Sequence, residues 1–557
     1  MPIEKQDSHL PDYALVERQE MMMGLGSGDE ALARPQVGVV SSWGEVNPAS
    51  VHLDRVVGQV KAGVWAAGGT PREFVISSIC TSMAGDDRYH LPHRDLVAGY
   101  IEAVTRTNLF DALVLVPVCD DVIPAHLMAA ARLNLPAVIV TGGYMRLNRH
   151  EGEWLDPLAV APRHFGRFKA GQVGPEEYDR IRDRGCPGLG ACPVMGTANT
   201  MAALTEALGM SPPGNAVTPG PDSRLLRQAF WAGRQVMKLL EAGIRPAEIL
   251  TAGAFRNAGR ALMALGGSTN AVLHLQAVAA EAGLDITPEI FNDLAATTPF
   301  ICDVAPSGTG KNLVGDLDEA GGIQAVMKEL EPLLDLDVLT VTGRRLSHNL
   351  AQAAVRDRRV IHALNEPLTP EGGLLFLRGN LAPDGALIKK SAVPPNMRFF
   401  QGPARLFPQE EAACEALNRD AISPGEVVVV RYVGPKGDPG MRLLQRFLWL
   451  LAAKGLQDKI AFITDGRFSG TNKGCAVAHV SPEAAAGGPL AVVRDGDIIE
   501  IDIPKRELNI NISGREFRER LAAWSPPPRQ PGRGYLAIYS KMAKPAEKGA
   551  ALNYEAD

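Results

Sequence analysis

No uninterrupted apolar run in this chain reaches the ~18 residues that would suggest a membrane span. The sequence therefore predicts no transmembrane helix and no membrane partner. Aromatic residues are few, at 6%. Basic residues are not in excess: 57 Lys and Arg stand against 63 Asp and Glu, for a formal charge of -6. A nucleic-acid footprint needs a basic domain, so no nucleic-acid partner is expected. The N-terminal stretch "MPIEKQDSHLPDYALVERQEMMMG" is charged and lacks an apolar h-region, which argues against a secretory signal. Cysteine is sparse too. There are 7 in 557 residues. An odd number with irregular spacing does not suit a secreted disulfide framework, so a reducing, cytoplasmic setting is the expectation.

What is present is ordinary globular material, 46% hydrophobic and 22% charged, long enough for about two to four domains. The apolar runs at 37–42, 73–79, 112–118 and 137–143 read as buried parallel strands. Amphipathic stretches at 94–106 and 124–134 separate them. That βαβα order predicts an α/β domain with a parallel sheet. Residues 195–282 read as mostly helical, and "GGSTNAVLHLQAVAAEAG" enters a helix with Ser268 or Thr269 as N-cap. Near 365–375 the texture changes to short strands with Gly, Pro and Asp turns and few helices. The expected fold is thus an N-terminal α/β domain over 1–370 and a C-terminal β-barrel-like domain over 371–557. The Pro- and Gly-rich tail reads as a surface arm.

Several stretches carry candidate chemistry. "VPVCDDVIPAHLM" (116–128) ends a predicted strand, where open α/β sheets bind ligands. It sets a soft ligand, Cys119, beside two hard ones, Asp120 and Asp121. The bland alternative is an Asp-rich turn that caps the next helix. "GCPGLGACPVMGTANTM" (185–201) wraps glycines and prolines around Cys186 and Cys192. Thiolate is the usual iron–sulfur ligand, although the C-x5-C spacing matches no common zinc or cluster signature; a tight structural loop is the alternative. "ITDGRFSGTNKG" (463–474) presents Ser469 in a Gly-rich loop. A serine becomes a base or nucleophile only beside a cation, metal or general base, and Arg467 and Lys473 are near in sequence. "PSGTGKNL" (306–313) imitates a phosphate loop but lacks the first glycine and the Ser/Thr after Lys311, so nucleotide binding is rejected. "AGDDRYHLPHRD" (84–95) gathers Asp86, Asp87, His90, His93 and Asp95, which read more readily as a polar loop entering a helix than as metal ligands.

Taken in order, "AAGGTPREF", "CDD", "LMAAARLNLPAVIVTGG", "GTANTMAALTEALGMSPPGNA", "GGSTNAVLHL", "LRGNLAPDGALIKKSAV", "VRYVGPKGDPGM", "TDGRFSGTNKG" and "AHVSPEAAAGGPLAVVRDGDIIEIDI" resemble the dihydroxy-acid dehydratase / 6-phosphogluconate dehydratase family, which includes sugar-acid dehydratases. The segments span almost the whole chain. The resemblance implies a hydro-lyase that converts a 2,3-dihydroxy carboxylic acid or sugar acid to a 2-keto-3-deoxy acid, working as a homodimer or a dimer of dimers. It implies an iron–sulfur cluster as Lewis acid, a Mg²⁺ or other divalent ion on the substrate carboxylate, and a serine base. Carried over by position, Cys119 and Cys192 match cluster ligands, Asp120 a Mg²⁺ ligand, and Ser469 the serine base. Cys80 completes a hypothetical three-cysteine cluster set.

Other positions depart from the pattern. Ala49 stands where some members have a cluster cysteine. Asp121 replaces a lysine that in some members is carbamylated and binds Mg²⁺; as an anionic oxygen ligand it is expected to compensate in part. Thr81 and Ser82 replace a segment with an acidic Mg²⁺ ligand, and Leu443 replaces a glutamate ligand. Asp120 alone is retained unchanged. Two other readings follow from these losses: a different lyase or isomerase reaction on the same scaffold, or a non-catalytic binding protein.

Overall fold

The computed structural model describes residues 11–83, 85–155, 164–168, 171–468, 470, 473–526 and 532–554. Four parallel strands form the N-terminal sheet in the order β2-β1-β3-β4: β1 (Gln36–Ser41), β2 (Thr70–Val75), β3 (Ala112–Val116) and β4 (Ala137–Ile139). Every residue of β1, β3 and β4 is buried. That is why these strands read as continuous apolar runs rather than alternating ones. Helices Leu53–Ala66, His90–Asn108 and Val122–Leu133 make the crossovers. The runs predicted as strands at 73–79 and 137–143 outlast the sheet: β2 ends at Val75 and β4 at Ile139. The apolar residues beyond each strand line the loops at its carboxyl end.

A helical layer follows, with Thr197–Ala207, Ser223–Ala242, Ala252–Leu265 and Asn270–Glu281. Thr269 holds the N-cap position of the last of these without a side-chain capping bond, and the preceding Ser268 Oγ accepts from the Asn270 N–H at 3.2 Å. A two-stranded ribbon, β5 (Arg149–His150) and β6 (Glu153–Trp154), lies between sheet and helices in sequence.

The C-terminal region is an eight-stranded sheet. Its strands are β7 (Leu375–Leu377), β8 (Gly385–Ile388), β9 (Phe399–Phe407), β10 (Val427–Val430), β11 (Ala461–Thr464), β12 (Ala476–Ser481), β13 (Ile498–Asp502) and β14 (Glu507–Ile510). They pair in the order β14-β13-β9-β10-β11-β12-β8-β7. The two edges then meet: Arg378 bridges Glu507, with Arg378 N–H donating to Arg506 O at 2.9 Å and Leu508 N–H donating to Arg378 O at 2.8 Å. The sheet is a nearly closed barrel, as anticipated, and closure hides edge groups that would otherwise template aggregation. It holds more helix than the sequence suggested. Strands β9, β10 and β11 run parallel, and parallel neighbours need crossovers; helices Glu410–Asn418 and Arg446–Ala453 supply them.

The tail is not a surface arm. Helix Tyr535–Met542 buries Leu536 and Tyr539, and Ala546 and Ala550 pack with Leu91, Leu273 and Met441. Polar bonds fix it to the N-terminal helices: Arg94 Nη2 donates to Gly549 O at 3.0 Å, Gln276 Nε2 to Glu547 O at 2.7 Å, and Leu552 N–H to Asp95 Oδ1 at 2.9 Å. Small residues in the tail let its backbone lie close to the 270–281 helix. Among the described residues no helix is long and apolar enough to cross a membrane.

Candidate active site

Cys119 lies just past the carboxyl end of β3, beside the switch between β1 and β3 where the fold favours a ligand site. Its φ of 79° is in the left-handed region, which costs a non-glycine residue energy and clusters at functional sites. The kink turns the chain directly into the Val122–Leu133 helix. Asp121 occupies the N-cap position of that helix but makes no side-chain capping bond. The capping-turn explanation of "CDD" is thereby removed.

Cys80 sits in the loop after β2 and is hydrogen-bonded to Cys119. The Cys119 contact, assisted by the Ser82 and Met83 backbone, holds the Cys80 thiol well below its ordinary value; ionisation of Cys119 is suppressed by that same contact and by burial. Cys192 is close enough to Cys119 for its charge to be felt there. The Cys192 loop is clamped from several sides. Asn199 Nδ2 donates to Cys192 O at 2.6 Å and Val194 O at 2.8 Å, and Gly190 N–H donates to Ala49 O at 3.2 Å. Gly190 has φ 112°, and a Cβ there would lie 2.5 Å from the Tyr144 carbonyl carbon, so only glycine lets the loop pass. Ala49, buried, packs against this loop where the sequence resemblance would have put a further cysteine. Cys186 is exposed, and none of the seven cysteines is in a disulfide.

The two aspartates differ sharply. Burial raises the Asp120 carboxyl above its ordinary value against the pull of His90 and Arg467. Burial also opposes ionisation of Asp121, but His90, Arg467 and His274 outweigh it and hold Asp121 well below the ordinary carboxylate value. Asp121 Oδ2 touches His90 Nδ1, Oδ1 lies 3.0 Å from His274 Nε2, and Arg467 Nη2 lies 3.5 Å from Oδ2. Both imidazoles are themselves oriented. Arg94 Nη1 donates to His274 Nδ1 at 3.3 Å, which leaves the hydrogen on Nε2; that nitrogen lies beside Asp121 Oδ1 without hydrogen-bond alignment. Thr81 Oγ1 lies 3.1 Å from His90 Nε2. Since Nδ1 of His90 faces the carboxylate as donor, the Arg467 Nη2 that lies 3.1 Å from it is held by Asp121 rather than by the ring.

Arg467 comes from the loop after β11. Asp465 shapes that loop by accepting from the N–H groups of Tyr432, Val433 and Ala484 at 3.1, 3.0 and 2.9 Å. Arg467 is fully buried and bridges Leu443 in β fashion. Ser469, with Thr471 and Asn472, lies outside the described residues. Its neighbour Gly470 is described, and the Gly470 carbonyl accepts from Lys389 Nζ at 2.7 Å. Lys389 is buried, and desolvation lowers its ammonium to about 7. Lys473, by contrast, is exposed.

The site thus brings together Cys80, Cys119, Cys192, Asp120 and Asp121. It adds Arg467, named from sequence only as a neighbour of Ser469; His90, which read as part of a polar loop; and His274 and Lys389, which the sequence did not single out. Two signals were present: the doubled histidine in "HLPH" and the paired lysines in "ALIKKSAV". The other acidic residues of 84–95 are engaged elsewhere, Asp86 with Arg88 and Asp87 with Arg442. The false phosphate loop is filled by its own Asp303, which accepts from Thr309 N–H at 2.6 Å and Thr309 Oγ1 at 2.7 Å.

Family models for the dihydroxy-acid/6-phosphogluconate dehydratase N-terminal and C-terminal regions match residues 34–349 and 359–550. The chain belongs to the dihydroxy-acid/6-phosphogluconate dehydratase family. It is 46% identical over 537 residues to a dihydroxy-acid dehydratase of Acetivibrio thermocellus, covering 96% of both chains. It is 46% identical over 539 residues to one of Caldanaerobacter subterraneus subsp. tengcongensis, again with 96% of each covered. One of Ignicoccus hospitalis is 44% identical over 549 residues, with 98% of each covered.

The residues present can be tested against the groups this family implies. Cys80 bonds Cys119, and Cys192 lies near enough for its charge to be felt there, with backbone N–H groups and a neighbouring thiol that favour thiolate at Cys80. That donor set suits an iron–sulfur cluster. A hard divalent ion fits poorly. It needs oxygen donors in near-octahedral array, yet Asp121 is spent on two imidazoles and a guanidinium, and Leu443 offers no ligand atom.

Proposed function

We propose that this family member removes water from a 2,3-dihydroxy acid to give the 2-keto acid, with Cys80, Cys119 and Cys192 as the ligands of an iron–sulfur cluster. The observation that carries the reading is the contact between Cys80 and Cys119, from separate loops at the carboxyl end of a parallel sheet, with Cys192 near enough for its charge to be felt at Cys119. The chain matches proteins named dihydroxy-acid dehydratase over nearly its whole length, which supports the reaction class.

When bound, the cluster supplies a Lewis acid to the departing 3-hydroxyl. The protein's own groups do the rest. Ser469 takes the proton from C2. It needs a neighbouring charge to do so; Lys389, bonded to the carbonyl of the next residue, and Arg467, two residues earlier, are buried basic groups in that part of the chain. Asp120, desolvated and raised, is suited to hold a proton beside the leaving oxygen. The C2 proton and the C3 hydroxide leave together as water, and the resulting enol takes a solvent proton at C3. Sugar acids and shorter dihydroxy acids share this chemistry, so both belong in a substrate panel.

The test is turnover by protein purified without oxygen, run in D₂O on such a panel. A dehydratase gives a 2-keto acid carrying solvent deuterium at C3. Keto acid with no deuterium, or no product from any member by iron-containing protein, would reject the reaction.

A further inference from the structure

The carboxylate of Asp121 is surrounded by nitrogen. His90 touches one oxygen, His274 Nε2 lies 3.0 Å from the other, and Arg467 Nη2 closes the third side at 3.5 Å. His90 and Arg467 present N–H donors to this anion; His274 Nε2 and Asp121 Oδ1, although 3.0 Å apart, are not aligned as a hydrogen bond, and neither has another hydrogen-bond partner among the described residues. A metal ion bound through Asp121 would have to displace both imidazoles and then sit against a guanidinium. The two other positions where hard-ion ligands are missing belong to the same network: Thr81 bonds His90 Nε2 at 3.1 Å, and Leu443, 8% exposed, bridges Arg467. The departures therefore act as a set. They set a network of nitrogen contacts around one carboxylate.

That network leaves one strong donor unspent. Arg467 Nε donates to Met441 O at 2.8 Å, and Nη2 lies 3.5 Å from Asp121 Oδ2 and 3.1 Å from His90 Nδ1. Nη1 is buried and has no partner among the described residues. A guanidinium edge fixed in this way is preorganised for a carboxylate, to which it gives a short charge-assisted bond. It stands two residues before Ser469 in the chain, and its charge is felt at Asp120.

We propose that this chain holds no hard divalent cation beside Asp120, and that Arg467, braced by Asp121 and His90, takes the substrate carboxylate through Nη1 instead. The proposal rests on the dehydratase reading for its choice of a hydroxy acid as ligand. It assigns Arg467 a direct binding role, and it makes Asp121, His90 and Thr81 positioning residues.

Two measurements test it on the full-length protein, purified without oxygen and treated with EDTA. The first is a Mn²⁺ titration followed by the loss of the free-ion EPR signal. It needs no variant and no turnover. The expected result is that Mn²⁺ stays free at millimolar concentration; one bound Mn²⁺ per chain, released by Asp121→Asn, overturns the proposal even in an active dehydratase. The second is binding of D-glycerate, the smallest 2,3-dihydroxy acid, by saturation-transfer NMR in EDTA. Wild type is expected to bind it, Arg467→Gln to bind at least tenfold more weakly, and Arg467→Lys to fall between, all with unchanged iron content. Glycerate binding that survives Arg467→Gln, or none by wild type, overturns the proposal. If no acid in the panel is turned over while both measurements come out as expected, the reaction assignment fails and the anion site stands.

Discussion

Thr81 and His90 are joined, Oγ1 to Nε2, at 3.1 Å, and the opposite ring nitrogen of His90 touches Asp121. A hydroxyl near the sheet's carboxyl end thus orients an imidazole that faces a buried carboxylate. The arrangement implies that Asp121 is a structural counter-ion. Asp121→Asn leaves Arg467 buried without an anion, and removing one partner of a buried ion pair costs about 3–5 kcal/mol. A drop of that size in denaturant-derived stability checks it. A variant as stable as wild type would show that Arg467 does not depend on Asp121.

Cluster ligation separates the cysteines. Cys80→Ser, Cys119→Ser and Cys192→Ser are each expected to lose most of the iron and the visible absorption. Cys186→Ser, at an exposed position of the same loop as Cys192, is expected to retain both. Iron content by colorimetry after anaerobic purification decides the matter, and an iron-replete Cys80→Ser protein would remove that residue from the set.

Lys389 is a buried lysine whose Nζ bonds the Gly470 carbonyl. Replacing it with methionine removes the charge and keeps the length. Burying an ammonium is costly, so Lys389→Met is expected to be at least as stable as wild type. If Lys389 supports the serine, kcat falls by about 10²-fold or more, the scale of an acid–base or electrostatic contribution, while KM changes little. Unchanged kcat would leave Lys389 a purely structural group.

Glu483 gives a pH signature away from the cysteines. Burial raises its carboxyl to about 8, against the Lys436 and Gly437 N–H groups that favour the anion. The folded protein thus holds a proton that the unfolded chain releases near the ordinary glutamate value of about 4.3. Between those values the native state binds more protons, so stability falls as pH rises through about 8. Glu483→Gln is expected to flatten this dependence, with a difference from wild type on the order of a few kcal/mol across the window. Parallel pH profiles for the two proteins would contradict the assignment.

The tail offers a packing test. Gly549 has φ 83°, and a Cβ would lie 2.8 Å from both Ala277 N and Leu273 O. Gly549→Ala is expected to cost about 1–3 kcal/mol through strain and overpacking. A thermal-melt shift measures it directly.

Much of this architecture was legible in residue order. The buried strands announced themselves as apolar runs because both faces of a parallel sheet are covered, and Cys80, Cys119 and Cys192 stood out against their Gly- and Asp-rich loops. The hub around Asp121 was not legible. His90 and His274 are 184 positions apart in numbering, and each looks like an ordinary helix residue; only the fold shows that both face one carboxylate. Asp121 itself looked like a substitute oxygen ligand, since sequence shows the anion and hides the three cationic or N–H partners around it. The tail misled for a related reason: proline and glycine signal a surface loop, yet here small residues permit close packing.

The most direct test of the account is the iron and acid-labile sulfide content, with the visible spectrum, of protein purified without oxygen. About two to four irons per chain matched by sulfide, lost in the Cys80, Cys119 and Cys192 variants, is the predicted result. Folded protein with no iron or sulfide would contradict the three-cysteine centre and the dehydratase chemistry built on it.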